Sequence, residues 1–228
     1  MKVVLLHAFP LDERMWEPQL EPLGEYDVAA PRLYGRGSSI GEVAATVLSE
    51  HDGELALVGA SMGGYTALEI AHREPARVRA LVLVGARADA DSPERRAARA
   101  DTIALVEDGG PRALWENQRP RLLAEHASEG AVEQARQEAL DRSKRELVAA
   151  VGAIRDRKDR TETLAAFGGQ VLVAVGEGDA FFPPEEARAQ AQLARRGRFR
   201  EFAGAAHLPS LERPDEFNAA LARFLGDV

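Results

Sequence analysis

Short apolar runs that alternate with longer helical stretches constrain this chain more than any other feature. Val3–Leu6, Leu55–Val58, Ala80–Val84 and Val171–Val175 are apolar throughout, the pattern of strands covered on both faces. Tyr26–Ala30 is a further candidate strand, and Arg198–Phe202 alternates as an edge strand does. Ile40–Glu50 and Met62–Arg73 read as helices, the second stopping before Pro75. Pro184–Arg195 opens with proline in its first turn, where the missing N–H costs nothing. In the last helix Phe217, Leu221, Phe224 and Leu225 recur at helical spacing and form one apolar stripe. Strands alternating with helices predict right-handed crossovers, hence an α/β fold with a doubly wound, mostly parallel sheet of about six strands.

One stretch breaks this rhythm. Residues 88–166 contain no strand pattern but many helical residues with acids and bases interleaved, as in Glu133–Arg145. Most of these charges read as solvated helical faces. The segment falls between two strands and leaves the sheet at the end where ligands bind in such folds. The expected division is therefore a core of residues 1–87 plus 167–228, with 88–166 inserted as a helical cap or lid.

Composition narrows the function. The 228 residues contain no cysteine, which excludes disulfides, thiolate metal sites and a cysteine nucleophile. A net charge of −8 opposes nucleic acid and anionic membranes as primary partners. No apolar run approaches the ~20 residues that span a bilayer, so a cytoplasmic protein is expected. No phosphate loop, metal-ligand cluster or dinucleotide fingerprint occurs, so neither cofactor nor metal is expected. A small molecule remains the expected partner, and monomer and homodimer stay equally open.

Chemistry concentrates at Gly59–Ala60–Ser61–Met62–Gly63, which matches G-x-S-x-G. An apolar strand runs in and an amphipathic helix runs out, the context of a nucleophile elbow. Flanking glycines relieve backbone clashes in so tight a turn. A serine hydroxyl needs a base to take its proton. Of the five histidines, His51, His72 and His126 sit among charged or helical-surface residues, and His7 ends the first strand. His207 lies in the loop between the last strand and last helix, where a base is expected. Asp179 ends the run VLVAVGEGD, one loop after a strand, and completes the order Ser…Asp…His. Glu177, Asp89 and Asp91 compete for that role. The backbone N–H groups of Met62 and Phe9 are the candidate oxyanion donors, Phe9 lying in the loop after the first strand.

Together, His7–Pro10 followed by Trp16, Gly35–Ser38, GASMGG, VGEGD and GAAHLPSLERP resemble the α/β-hydrolase superfamily, in its usual order and over nearly the whole chain outside the insertion. Within it the chain is most similar to small microbial carboxylesterases, with enol-lactone hydrolases and pimeloyl-carrier methyl esterases as relatives. The resemblance implies a serine-based, metal-free hydrolase with a helical cap. Three departures stand out. Ala8 replaces the usual glycine after the first motif histidine, the chain starts directly on the strand before HAFP, and Tyr65 follows SMGG where relatives that make a menaquinone precursor commonly carry arginine.

The expected reaction is hydrolysis of a small-molecule carboxylic ester through an acyl-enzyme, with activity falling below about pH 6 as the histidine base takes a proton. Leu11, Trp16, Phe181, Phe182 and Leu208 flank the motifs and form a candidate substrate pocket, with ordinary core as the competing reading of each. Arg119 and Arg121 read either as solvated surface or as receivers of a substrate carboxylate. The same triad also suits a lactonase, a carbon–carbon hydrolase or a perhydrolase. A ligand receptor that hardly turns over is the alternative from a different class.

Overall fold

A computed structural model describes residues 1–228. Six strands, β1 (Lys2–Leu6), β2 (Asp27–Ala29), β3 (Leu55–Ala60), β4 (Val78–Val84), β5 (Gln170–Gly176) and β6 (Gly197–Phe202), form one sheet in the order β2-β1-β3-β4-β5-β6. Every neighbouring pair is parallel. All six predicted strands are present, and most run one to two residues beyond their apolar runs. The order reverses beside β1, so β1, β3 and β4 sit at the centre with their carboxyl ends converging. In open α/β sheets that is where ligands bind.

Burial on both faces explains the unbroken apolar runs. Along β3, Leu55 and Leu57 belong to one core layer while Ala56 and Val58 belong to the other, because successive strand side chains point to opposite faces. Helices α1 (Ile40–Glu50) and α2 (Met62–Arg73) cover the first layer with Val43, Val47 and Leu68.

The chain between β4 and β5 contains four helices and no strand: α3 (Pro93–Leu122), α4 (Glu129–Leu140), α5 (Lys144–Arg155) and α6 (Thr161–Ala166). Ser92, Ser128 and Ser143 cap the amino ends of the first three, each accepting a hydrogen bond from a backbone N–H of the first turn. Helix α3 is broken at Gly110, whose φ of 70° is followed by Pro111, so it is two helical arms at an angle. Lys144 of α5 donates to the carbonyls of Glu107 and Asp108 at that break. Helix α7 (Pro184–Leu193) ends two residues before the predicted Arg195, and α8 (Pro214–Gly226) lays Phe217, Leu221 and Phe224 on the second core layer. No helix is long and apolar enough to cross a membrane.

Candidate active site

Ser61 sits between β3 and α2 with φ 47° and ψ −109°, a backbone region that costs a non-glycine residue on the order of 1–3 kcal/mol. Its N–H donates to Val84 O at 2.8 Å, which ties the turn to β4. The surrounding backbone is too close for side chains. A Cβ on Gly59 would lie 2.4 Å from Gly63 O, and one on Gly63 would lie 2.0 Å from Leu6 O. Both glycines of the pentapeptide are therefore demanded by packing.

His207 and Asp179 meet beside this turn. Asp179, one loop after β5, accepts at Oδ2 from His207 Nδ1 at 2.7 Å. Its Oδ1 accepts the Phe181 and Phe182 N–H groups at 2.8 and 3.0 Å. Both side chains are buried, each residue 3% exposed. Since the carboxylate oxygen can only accept, Nδ1 carries the proton, and in the neutral form of the ring Nε2 is the nitrogen with the lone pair.

Two residues that the sequence reading had not singled out hold this pair. Gly85, at the end of β4 with φ 56°, leaves no room for a side chain: a Cβ there would lie 2.8 Å from His207 Cε1 and 3.0 Å from Asp179 Oδ2. Glu212 straddles the histidine loop, its Oε1 accepting the Ala206 and Leu208 N–H groups and its Oε2 the Ala124 N–H. Burial raises its carboxyl above the usual carboxylate range against those hydrogen bonds. A glycine directly after a β4-type apolar run, and a glutamate five residues after the histidine, were the available signals.

Ser61 and His207 open onto a common cavity of about 460 Å³. Phe9 and Phe181 line it, and Met62 is the first residue of α2, where N–H groups have no partner within the helix. The rest of the wall includes Tyr65 and Arg87 and, from both arms of α3, Ala98, Asp101, Thr102, Leu105, Asn117, Gln118 and the arginines Arg95, Arg99 and Arg121. Four expected pocket residues lie elsewhere. Leu11, Trp16 and Leu208 are fully buried in the second core layer, with Trp16 6.3 Å from the Phe217 ring. Phe182 is buried in the first layer beneath the Arg87 guanidinium. Arg119 does not line the cavity, whereas Arg121 does. No group of three His, Asp or Glu side chains is placed to share a metal ion.

A family model described as the alpha/beta hydrolase family matches residues 3–220. The chain belongs to the α/β-hydrolase family. A thermophilic esterase from Thermogutta terrifontis, solved with malate bound, is 33% identical and superposes with a TM-score of 0.93 over 100% of this chain and 90% of that one. The enol-lactonase from Burkholderia xenovorans LB400 is 25% identical, with a TM-score of 0.89 over 99% of this chain and 91% of that one. The dihydrolipoyllysine-residue acetyltransferase component of an acetoin cleaving system from Cupriavidus necator is 30% identical over 98% of this chain. The chain spans 63% of that relative's length.

Within this α/β-hydrolase the loop after β1 is anchored from several sides. Ala8 N–H points to Met15 Sδ at 3.1 Å, and the Phe9–Pro10 peptide is cis. His7 is fully buried, and burial lowers it to about 4. Its Nε2 therefore accepts from Leu33 N–H at 2.8 Å while Nδ1 faces Ala8 O at 3.0 Å. Asp12 closes the loop: Glu138 of α4 accepts its N–H at 3.0 Å, and the buried Arg142 pairs with its carboxylate at 2.9 Å.

Proposed function

We propose that the protein hydrolyses carboxylic esters of small molecules through an acyl-enzyme, with Ser61 as nucleophile, His207 as base and Asp179 as its orienting acid. The observation that carries this reading is the buried 2.7 Å Asp179–His207 contact at the edge of a cavity that His207 and the strained Ser61 both line. The esterase and the enol-lactonase among the similar structures support acyl transfer to water as the reaction.

In this mechanism His207 Nε2 removes the Ser61 hydroxyl proton as Oγ attacks the ester carbonyl. Asp179 Oδ2 stabilises the imidazolium that forms, and its Oδ1, held by the Phe181 and Phe182 amides, keeps the carboxylate from rotating away. The Phe9 and Met62 N–H groups receive the oxyanion. Nε2–H then protonates the leaving alcohol, and a water deprotonated by the same nitrogen releases the acid. Helices α3–α6 act as a cap whose first arm roofs the cavity.

The test is hydrolysis of p-nitrophenyl acetate, butyrate and octanoate at pH 7.5 by the wild type and Ser61→Ala. Turnover by the wild type that falls to background in the variant is the expected outcome. A Ser61→Ala protein that keeps its activity overturns the reading. A lactone takes the same chemistry with the leaving alcohol still tethered, and the enol-lactonase likeness puts an enol-lactone next in the panel.

A further inference from the structure

The wall facing Ser61 is more cationic than ester hydrolysis requires. Four arginines line the cavity against one carboxylate, the exposed Asp101. Two of the arginines are already neutralised from behind. Arg87 pairs with Asp89 and Glu186, and Arg95 pairs with Asp89 and Asp91. Arg99 donates only its Nε–H to Asp91 Oδ2, at 3.1 Å, and that carboxylate is shared with Arg157. The Arg99 terminal nitrogens make no hydrogen bond to the protein. Arg121 has no carboxylate partner at all. Its guanidinium lies 4.0 Å from the centre of the Phe181 ring, which in turn lies 4.8 Å from the His207 ring. Stacking of this kind holds a guanidinium flat and leaves its edge N–H groups available.

We propose that Arg99 and Arg121 form an anion-receiving subsite, and that the substrate is an ester or lactone bearing a free carboxylate a few bonds from the scissile carbonyl. The inference rests on the serine-hydrolase reading of the same cavity and names its substrate class. Arg121 presents two parallel N–H donors, the geometry that a carboxylate accepts in bidentate fashion. Its position one aromatic ring beyond the imidazole fixes where that carboxylate lies relative to Ser61. Burial lowers the Arg121 pKa and the nearby Arg99 charge lowers it further. Arg121 thus faces the cavity beside Arg99, whose one carboxylate contact, Asp91, is shared with Arg95 and Arg157, and a bound anion relieves the repulsion between the two cations. A neutral short-chain ester gains nothing from either group, so the wall would discriminate between esters by charge.

The experiment compares monomethyl glutarate with dimethyl glutarate, read as methanol release, in the wild type, Arg121→Gln and Arg121→Lys. The wild type is expected to favour the half-ester in kcat/KM by about 10- to 100-fold, the span of a hydrogen-bonded charge pair. That ratio should collapse toward one in Arg121→Gln and recover in part in Arg121→Lys. Calorimetric titration of glutarate into Ser61→Ala, with and without Arg121→Gln, reads the subsite without turnover. Binding that weakens at least about tenfold on loss of Arg121 supports the subsite. A ratio near one, or glutarate binding indifferent to Arg121, overturns it while leaving the hydrolase reading intact. Arg121-dependent glutarate binding without Ser61-dependent turnover of either ester overturns the hydrolase reading instead.

Discussion

At the carboxyl edge of the sheet, Ser61, Asp179 and His207 are held by backbone. Gly59, Gly63 and Gly85 admit no side chain, amides of Phe181 and Phe182 grip Asp179, and amides of Ala206 and Leu208 are gripped by Glu212. The helical insertion above joins the core through apolar residues such as Leu114, Leu147, Ile154 and Leu122, and is tied down further by charge. Arg142 reaches Asp12 and Arg160 reaches Glu69 across long sequence separations, while Arg157 pairs with Asp91 within the insertion itself. Backbone packing tolerates almost no displacement, because a gap or overlap of an ångström is already costly. Ion pairs with long side chains leave more freedom. The contrast sets a candidate triad fixed by close backbone packing against an insertion tied down in part by side-chain charge.

The largest expected effect would come from breaking the centre chemically. His207→Gln should lower turnover by on the order of 10⁶, as loss of a base that acts as one unit with its nucleophile does. A loss of less than tenfold in steady-state hydrolysis would contradict the assignment of the base. Displacing the centre without touching its chemistry is the next test. Gly85→Ala forces a methyl against His207 and Asp179 and should lower kcat by about 10²–10³ while KM holds, since a misplaced catalytic group costs that much. Unchanged kcat would mean that the contact is not what sets the imidazole position.

On the side of the roof, Arg142→Met leaves Asp12 buried with only the partly exposed Arg14 to balance it. Removing one partner of a buried pair is expected to cost about 3 kcal/mol, or roughly 10 °C in thermal unfolding of a chain this size. A shift under about 2 °C would erase the distinction between the two regions. The smallest effect concerns Glu138, which burial raises to about 7 although it accepts the Asp12 N–H. The folded chain then keeps a proton that the unfolded chain has released above about pH 4.5, so this group's contribution to stability falls as pH rises toward 7. Between pH 5.5 and 8 that contribution is about 2 kcal/mol. Glu138→Gln should flatten the pH dependence of thermal unfolding by that amount, and an unaltered slope would remove Glu138 from the account.

Much of the framework was legible because its causes are local. Apolar runs buried on both faces announced β1, β3, β4 and β5, alternation announced the edge strand β6, and the Gly-x-Ser-x-Gly pentapeptide announced a turn whose crowding the structure explains. Asp179 and His207 were legible as polar residues in loops after strands, which parallel topology carries to one edge. The cavity wall was not legible. Leu11, Trp16 and Leu208 flank the motifs in sequence, yet the loops and short helical turns that carry them fold them into the second core layer. The wall comes instead from α3, whose interleaved charges look in sequence like solvated surface, and its break at Gly110 directs the second arm and Arg121 toward Phe181.

By itself, then, the sequence determined the order of strands and helices, the elbow and the residues available for its chemistry, because periodicity and steric crowding act over a few residues. Only the tertiary structure decided which arginines face Ser61 and which are neutralised, and that the Phe9 loop is tied to Glu138 and Arg142. The loop's anchoring depends on groups more than a hundred residues apart meeting in space. The state of each arginine depends on which side of α3 faces the cavity and on distant partners such as Glu186. No local pattern encodes such meetings.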